Sequence, residues 1–168
     1  VTIRPAQAED TTAMGSVWLR AALIGYEGIF PPGTPMPAVE AVAEEWHQAI
    51  TQPWGRAAYF VACDATPDRR VVGTVAVVPD PDETSRGHLQ ALYVDPGHWG
   101  RGIGRSLHDV ALDHLRASGF RVAVLWVIAA NVRARAMYER WGWRAATRPA
   151  TVPGADSGVD EICYMMSL

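Results

Sequence analysis

Positions Ile103, Leu107, Val110, Ala111, His114 and Leu115 recur at spacings of three and four, so they share one face of a helix running from Ser106 to Arg116. Arg105, Asp109, Asp113 and Arg116 fall largely on the opposite side, and Ser118-Gly119 supplies a stop. Two extended apolar runs, Leu89 to Val94 and Val122 to Val127, bracket this helix. The order strand, helix, strand predicts a βαβ crossover. Elsewhere the pattern predicts a strand over Thr2 to Arg4, a helix over Glu9 to Gly25 and a helix over Val39 to Thr51 after a Pro/Gly-rich loop. Strands are expected at Ala58 to Asp64, Val71 to Val78, Arg144 to Thr147 and Asp160 to Ser167, with a helix after Asn131. No internal repeat interrupts this order, which gives a mixed α/β fold.

Between the strand ending at Val94 and the helix lies Trp99-Gly100-Arg101-Gly102-Ile103-Gly104-Arg105. The first amides of a helix have no internal partners, so a glycine turn at that place offers bare N–H groups to an anion. Glycine lets a phosphate approach the backbone and tolerates φ above zero. Hydrogen bonds to a charged oxygen, about 1.5–3 kcal/mol each, outweigh the helix dipole at roughly 0.3–1 kcal/mol.

Composition narrows the ligand. The chain holds no lysine, since all fifteen basic residues are arginine, which removes a Walker A loop and lysine Schiff-base chemistry. A dinucleotide fingerprint wants a third glycine where Arg105 stands and an acidic residue ending the next strand, where Leu125-Trp126-Val127 stands. A dehydrogenase-type nucleotide module is thereby disfavoured. At 168 residues, nearly half apolar and a fifth charged, the chain suits one folded domain spanning 1–168. A net charge of −3 gives no electrostatic reason to expect nucleic acid or an anionic membrane. No apolar stretch reaches the eighteen or so residues of a membrane span, and Val1-Thr2-Ile3-Arg4-Pro5 reads as a strand rather than a signal peptide. Cys63 and Cys163 both sit in apolar runs, the pattern of thiols in a reducing cytoplasm, with a disulfide as the alternative. His47, His98, His108 and His114 show no metal-ligand spacing, and no metal is expected.

The stretch Leu92-Tyr93-Val94-Asp95-Pro96-Gly97-His98-Trp99-Gly100-Arg101-Gly102-Ile103-Gly104 resembles the acyl-CoA loop of the GNAT superfamily of N-acetyltransferases, Gln/Arg-x-x-Gly-x-Gly/Ala after a strand. Trp99 departs from it, standing where Gln or Arg is commoner. A second stretch, Asn131-Val132-Arg133-Ala134-Arg135-Ala136-Met137-Tyr138-Glu139-Arg140-Trp141-Gly142-Trp143, is similar to the family's Asn-x-x-Ala-x-x-x-Tyr-x-x-x-Gly-Phe, with Trp143 in place of Phe. Asn131 suits a helix N-cap, and Tyr138 lies about two turns further on.

The resemblance implies a central, mostly antiparallel sheet whose fourth and fifth strands splay around the cofactor, which would be acetyl-CoA. It implies acetyl transfer to a primary amine of a small molecule or peptide, by direct attack in a ternary complex. Neither cysteine lies in a motif, which argues against an acyl-cysteine. A binding module that holds acyl-CoA without catalysis remains the alternative, and a homodimer is common among relatives. By resemblance Tyr138 is the general acid, a phenol able to protonate the leaving sulfur, although its ring could equally be core. His88 stands where many relatives place a basic glutamate; its ordinary pKa suits a base, and a solvent-facing strand edge is the competing reading. The cofactor's diphosphate would rest on Gly100, Arg101, Gly102, Ile103, Gly104 and Arg105, with Trp99 beside it. Its pantetheine arm would pair with Leu92, Tyr93 and Val94, a backbone N–H near Val94 polarising the carbonyl, and would meet Asn131 and Ala134. Arg101, Arg105 and Arg133 either touch phosphates or stay solvated. For the acceptor the resemblance points to the first helices and the loop before the last strand. That region includes Trp18, read as packing, with Tyr26, Phe30, Pro31 to Pro35 and Thr151 to Gly158. Glu27, Asp156 and Asp160 there are acids that could draw an amine or be plain surface.

Overall fold

A computed structural model describes residues 1–146 and 159–168. The expected loop from Thr151 to Gly158, Asp156 within it and the Thr147 end of one expected strand lie outside these residues. In chain order the elements are β1 (Thr2–Pro5), α1 (Thr11–Gly25), α2 (Val39–Thr51), β2 (Ala58–Cys63), β3 (Val71–Pro79), β4 (Gly87–Val94), α3 (Ile103–Ala117), β5 (Val122–Ile128), α4 (Val132–Arg140), β6 (Arg144–Ala145) and β7 (Glu161–Ser167). The strands form one sheet in the order β1-β2-β3-β4-β5-β7-β6. Every neighbouring pair is antiparallel except β4 and β5, which are parallel because α3 crosses between them.

The expected splay is present. β4 and β5 pair only at Gly87 with Ala123 and at His88 with Val124, so beyond His88 the fourth strand has no fifth-strand partner. β4 keeps its other edge paired to β3 throughout, apart from one irregularity. Leu89 faces Val77 and Ala91 faces Ala76, which leaves Gln90 as an extra residue in a bulge.

α3 lies against the sheet with Ile103, Leu107, Ala111 and Leu115 buried, as its periodicity demands. The stripe is rotated from the expected one, because His108 and Leu112 are buried where Val110 and His114 were expected. His114 instead meets the Phe60 ring edge-on at 5.8 Å. Burial of each large aliphatic side chain is worth about 1.5–3 kcal/mol. The helix comes this close because Gly87 has no side chain; a Cβ there would lie 2.5 Å from Leu115 Cδ2. On the other face α1 packs onto β3 and β4 and against α2. Arg4 clamps the start of α1 to β1 with two hydrogen bonds to Asp10, at 2.7 and 2.8 Å. Cys63 and Cys163 are free, buried thiols.

Candidate active site

The turn between β4 and α3 is built to stand open. Asp95 begins it: one carboxylate oxygen accepts the Gly97 N–H at 2.9 Å, and the other accepts Arg20 Nε at 2.6 Å from α1. Burial works against ionisation of Asp95, yet the Arg20 and Gly97 hydrogen bonds outweigh it and hold the carboxyl below its ordinary 3.8. Trp99 folds back and donates its indole N–H to the Val94 carbonyl at 2.7 Å, while the Arg133 guanidinium lies 4.0 Å over its ring. The residue that departs from the family pattern is therefore a brace, joining the end of β4 to α4.

Past that brace the backbone turns through left-handed geometry at Gly100 (φ 77°) and Gly102 (φ 79°), where a Cβ would be strained. Among the described residues, no N–H from Gly100 to Arg105 has a hydrogen-bond acceptor; the first satisfied amide is Ser106, which bonds the Gly102 carbonyl. A Cβ on Gly100 or Gly102 would meet nothing within 4 Å, so the turn stands clear of the rest of the chain at these positions. A row of unpaired amides at a helix start is the donor set a diphosphate requires. The residues present thus fit the diphosphate of coenzyme A.

These amides open on a cavity of about 690 Å³ that runs through the splay between β4 and β5. Of the expected site residues, Leu92, Tyr93, Val94, Trp99, Gly100 and Gly102 line it. So do Ile103, Gly104, Arg105, Asn131, Arg133 and Ala134. Tyr138 and His88 line it as well. Arg101 does not line it and is exposed at the tip of the turn. Arg105 is already engaged, paired with Asp109 at 2.9 Å and 5.7 Å above the Trp141 ring.

α4 carries the second motif. Asn131 Oδ1 accepts the Ala134 N–H at 3.1 Å and caps the helix, which leaves the amide NH2 of Asn131 for the cavity it lines. Behind the helix, Tyr164 donates its hydroxyl hydrogen to Glu139 at 2.7 Å and accepts from Arg135 at 3.2 Å. Tyr138 is therefore presented by a helix anchored to β7. Its ring is buried edge-on to Trp141 (5.8 Å) and Trp143 (6.2 Å). Its hydroxyl has no hydrogen-bond partner among the described residues. Burial, with Tyr93 beside it, raises the phenol above its ordinary 10 and keeps it protonated.

His88 is 9% exposed, which sets aside the reading of a solvent-facing strand edge. It sits at the last point where β4 and β5 pair. Burial lowers its pKa below 6.5 against the pull of Asp80 and Asp82, so the imidazole is neutral at pH 7. One further group escaped the sequence reasoning: Glu161, the first residue of β7, opposite Ile128 on β5. It is the one carboxylate lining the cavity among the described residues, and burial raises its pKa. The usable signal was its place at the end of the last strand, beside the strand that leaves β4; its neighbour Asp160 drew attention instead and is exposed. Of the residues expected around the acceptor, Tyr26 lines the cavity, with Phe30 edge-on to it at 5.7 Å. Glu27 is exposed.

Comparison with known proteins agrees with this geometry. The model of the acetyltransferase (GNAT) family matches residues 26–143. Mycothiol acetyltransferase of Beutenbergia cavernae is 50% identical over 66 residues, 39% of this chain and 21% of that protein. Mycothiol acetyltransferase of Geodermatophilus obscurus is 37% identical over 106 residues, 60% of this chain and 33% of that protein, so only a minor part of either relative is spanned. Among solved structures, PaiA N-acetyltransferase from Thermoplasma acidophilum, in complex with coenzyme A, superposes with a TM-score of 0.75 at 16% identity, covering 99% of this chain and 98% of that one. A GCN5-related N-acetyltransferase from Kribbella flavida gives 0.74 at 23% identity, covering 99% and 97%. These likenesses share the fold, and the matched family model spans both glycine-turn and tyrosine motifs. The chain belongs to the acetyltransferase (GNAT) family.

Proposed function

We propose that this chain transfers an acetyl group from acetyl-CoA to the primary amine of a small molecule or peptide, by direct attack within a ternary complex. The observation that carries the reading is one shared cavity, lined both by Gly100 and by Gly102 to Arg105, whose N–H groups have no acceptor among the described residues, and by Tyr138, whose hydroxyl has no partner among them. Acetyl-CoA supplies the activated acetyl thioester.

The amides from Gly100 to Arg105 hold the diphosphate, and Arg133, stacked on Trp99, adds positive charge near it. The edge of β4 from Leu92 to Val94, freed by the splay, pairs with the amide-bearing arm as an added strand would. The Asn131 NH2 donates to the same arm. A backbone N–H of β4 near Val94 polarises the acyl carbonyl. Tyr138 protonates the departing sulfur. A thiol titrates near 8.5 and an alkyl amine near 10.4, so the nucleophile must lose a proton and the leaving group gain one. His88, neutral at pH 7, takes the amine's proton directly or through a water. Glu161 draws the acceptor's ammonium into the cavity.

Relatives named as acetyltransferases support transfer over binding alone. The test is release of free thiol from acetyl-CoA across a panel of amines. Amine-dependent release supports the proposal; coenzyme A binding with no release for any amine reduces the protein to a binding module.

A further inference from the structure

Between α1, α2 and strands β2 to β4 lies a second hollow of about 300 Å³, and the two cavities share Gln90, Ala91 and Tyr93. Its floor is a row across the sheet: Tyr59 on β2 faces Ala76 on β3, which faces Ala91 on β4. Two alanines side by side leave the space that larger strand residues would fill. The roof is Ala49 of α2, again small, and the side walls are the indoles of Trp18 on α1 and Trp46 on α2. The hollow is thus left by small residues at three neighbouring positions and walled by aromatic ones. Trp18, expected to be ordinary packing, forms one of its walls.

Position and lining identify an occupant. Gln90 in the β4 bulge, with Ala91 and Tyr93, borders both cavities beside the β4 edge where the transfer is placed above, so a side group of the acceptor can reach the hollow while its amine lies in the first cavity. Most of the lining side chains are aromatic or aliphatic; the polar groups among them are the Gln90 amide, the hydroxyls of Tyr59 and Tyr93 and the exposed Glu45 carboxylate, with no arginine or histidine among the described lining residues. Such walls reward an uncharged ring or branched alkyl group, while a carboxylate would find no cationic side chain to pair with and the Glu45 carboxylate to repel it. We propose that this hollow is the acceptor's side-chain subsite, and that the acceptor is an amine carrying an aryl or similarly bulky apolar group and no carboxylate. This rests on the acetyl-transfer reading for its amine and on the hollow alone for its side group.

The experiment separates the two. The protein loaded with coenzyme A is titrated calorimetrically with phenethylamine, propylamine and 1,5-diaminopentane, and thiol release from acetyl-CoA is measured with each. One methylene more or less in a hydrophobic pocket discriminates by about 10- to 200-fold. Phenethylamine is therefore expected to bind at least about tenfold more tightly than propylamine. Ala49→Phe, which fills the roof, is expected to bring that ratio to about one. If Ala49→Phe does not fold, Trp46→Leu, which removes a wall, is expected to lower the same ratio. Equal affinity for phenethylamine and propylamine, preference for the diamine, or a ratio untouched by the folded variant overturns the inference, even if thiol is released. Selective phenethylamine binding that the variant abolishes, without thiol release, leaves the subsite standing and removes the acetyl-transfer reading instead.

Discussion

The indole N–H of Trp143 donates to Nε2 of His108 over 2.9 Å, with both side chains buried. Because Nε2 accepts, the ring proton is on Nδ1, which donates to Asp109 at 3.1 Å. Trp143 replaces the phenylalanine of the family pattern, and His108 is the buried acceptor its extra N–H requires. The bond ties α3, which carries the open amides, to the chain leaving α4, which carries Tyr138. Trp141 lies between them, 4.7 Å from the His108 ring.

Trp143→Phe leaves the His108 acceptor unpaired in the core and is expected to cost about 1–3 kcal/mol, with a further loss for the missing volume. Adding His108→Leu removes the stranded group, so the double variant is expected to fall short of the two single losses summed. Urea unfolding of the four proteins measures the coupling; strict additivity contradicts it. Burial also lowers the His108 pKa below 6.5. Below that pH the unfolded chain takes a proton that the folded one refuses. Stability is then full above about pH 6.5 and falls on acidification, by at most about 1.4 kcal/mol per pH unit for this histidine.

Gly104→Val is expected to lower coenzyme A affinity tenfold or more with little change in stability. A Cβ at Gly104 meets only ordinary contacts, 3.7 Å from Val94 and 3.8 Å from Trp141, so the fold accepts a side chain while a close-lying diphosphate would not. Calorimetric titration beside thermal melting separates the effects, and unchanged affinity contradicts the placement of the phosphates.

Tyr138→Phe keeps the ring and its packing against Trp141 and Trp143. The turnover number is expected to fall about tenfold or more, a general-acid contribution being typically 10²–10⁴-fold, with coenzyme A affinity nearly unchanged. Since burial raises the phenol, no alkaline loss of rate below pH 10 is assigned to it. Steady-state kinetics of the variant checks both statements.

For His88 the expected signature is in the acid. A base must be neutral to act, and burial lowers this histidine's pKa, so activity is retained down to below pH 6.5 and lost as pH falls further. His88→Ala is expected to lose rate and to displace that acidic limb. An unmoved limb in the pH–rate profile excludes His88 as the base.

Most of this architecture is legible along the chain because it rests on local patterns. The helix expected over Val39 to Thr51 is α2, and among the described residues the strand boundaries fall within a residue or two of those expected. The two motifs led to the cavity because each sits on one strand–turn–helix or helix unit. What escaped depends on contacts between distant elements. The rotation of α3 follows from His108 finding Trp143, a partner 35 positions away in sequence. The role of Trp99 as a brace depends on Val94 and Arg133 together. Glu161 reaches the cavity through β5–β7 pairing, and the second hollow exists because alanines on two strands and a helix coincide. No local period encodes such coincidences.

The most direct test is a crystal structure with coenzyme A bound. The account predicts diphosphate oxygens within hydrogen-bonding distance of the N–H groups between Gly100 and Arg105, and the cofactor sulfur beside the Tyr138 hydroxyl. A diphosphate seated elsewhere, or a sulfur out of reach of that hydroxyl, contradicts it.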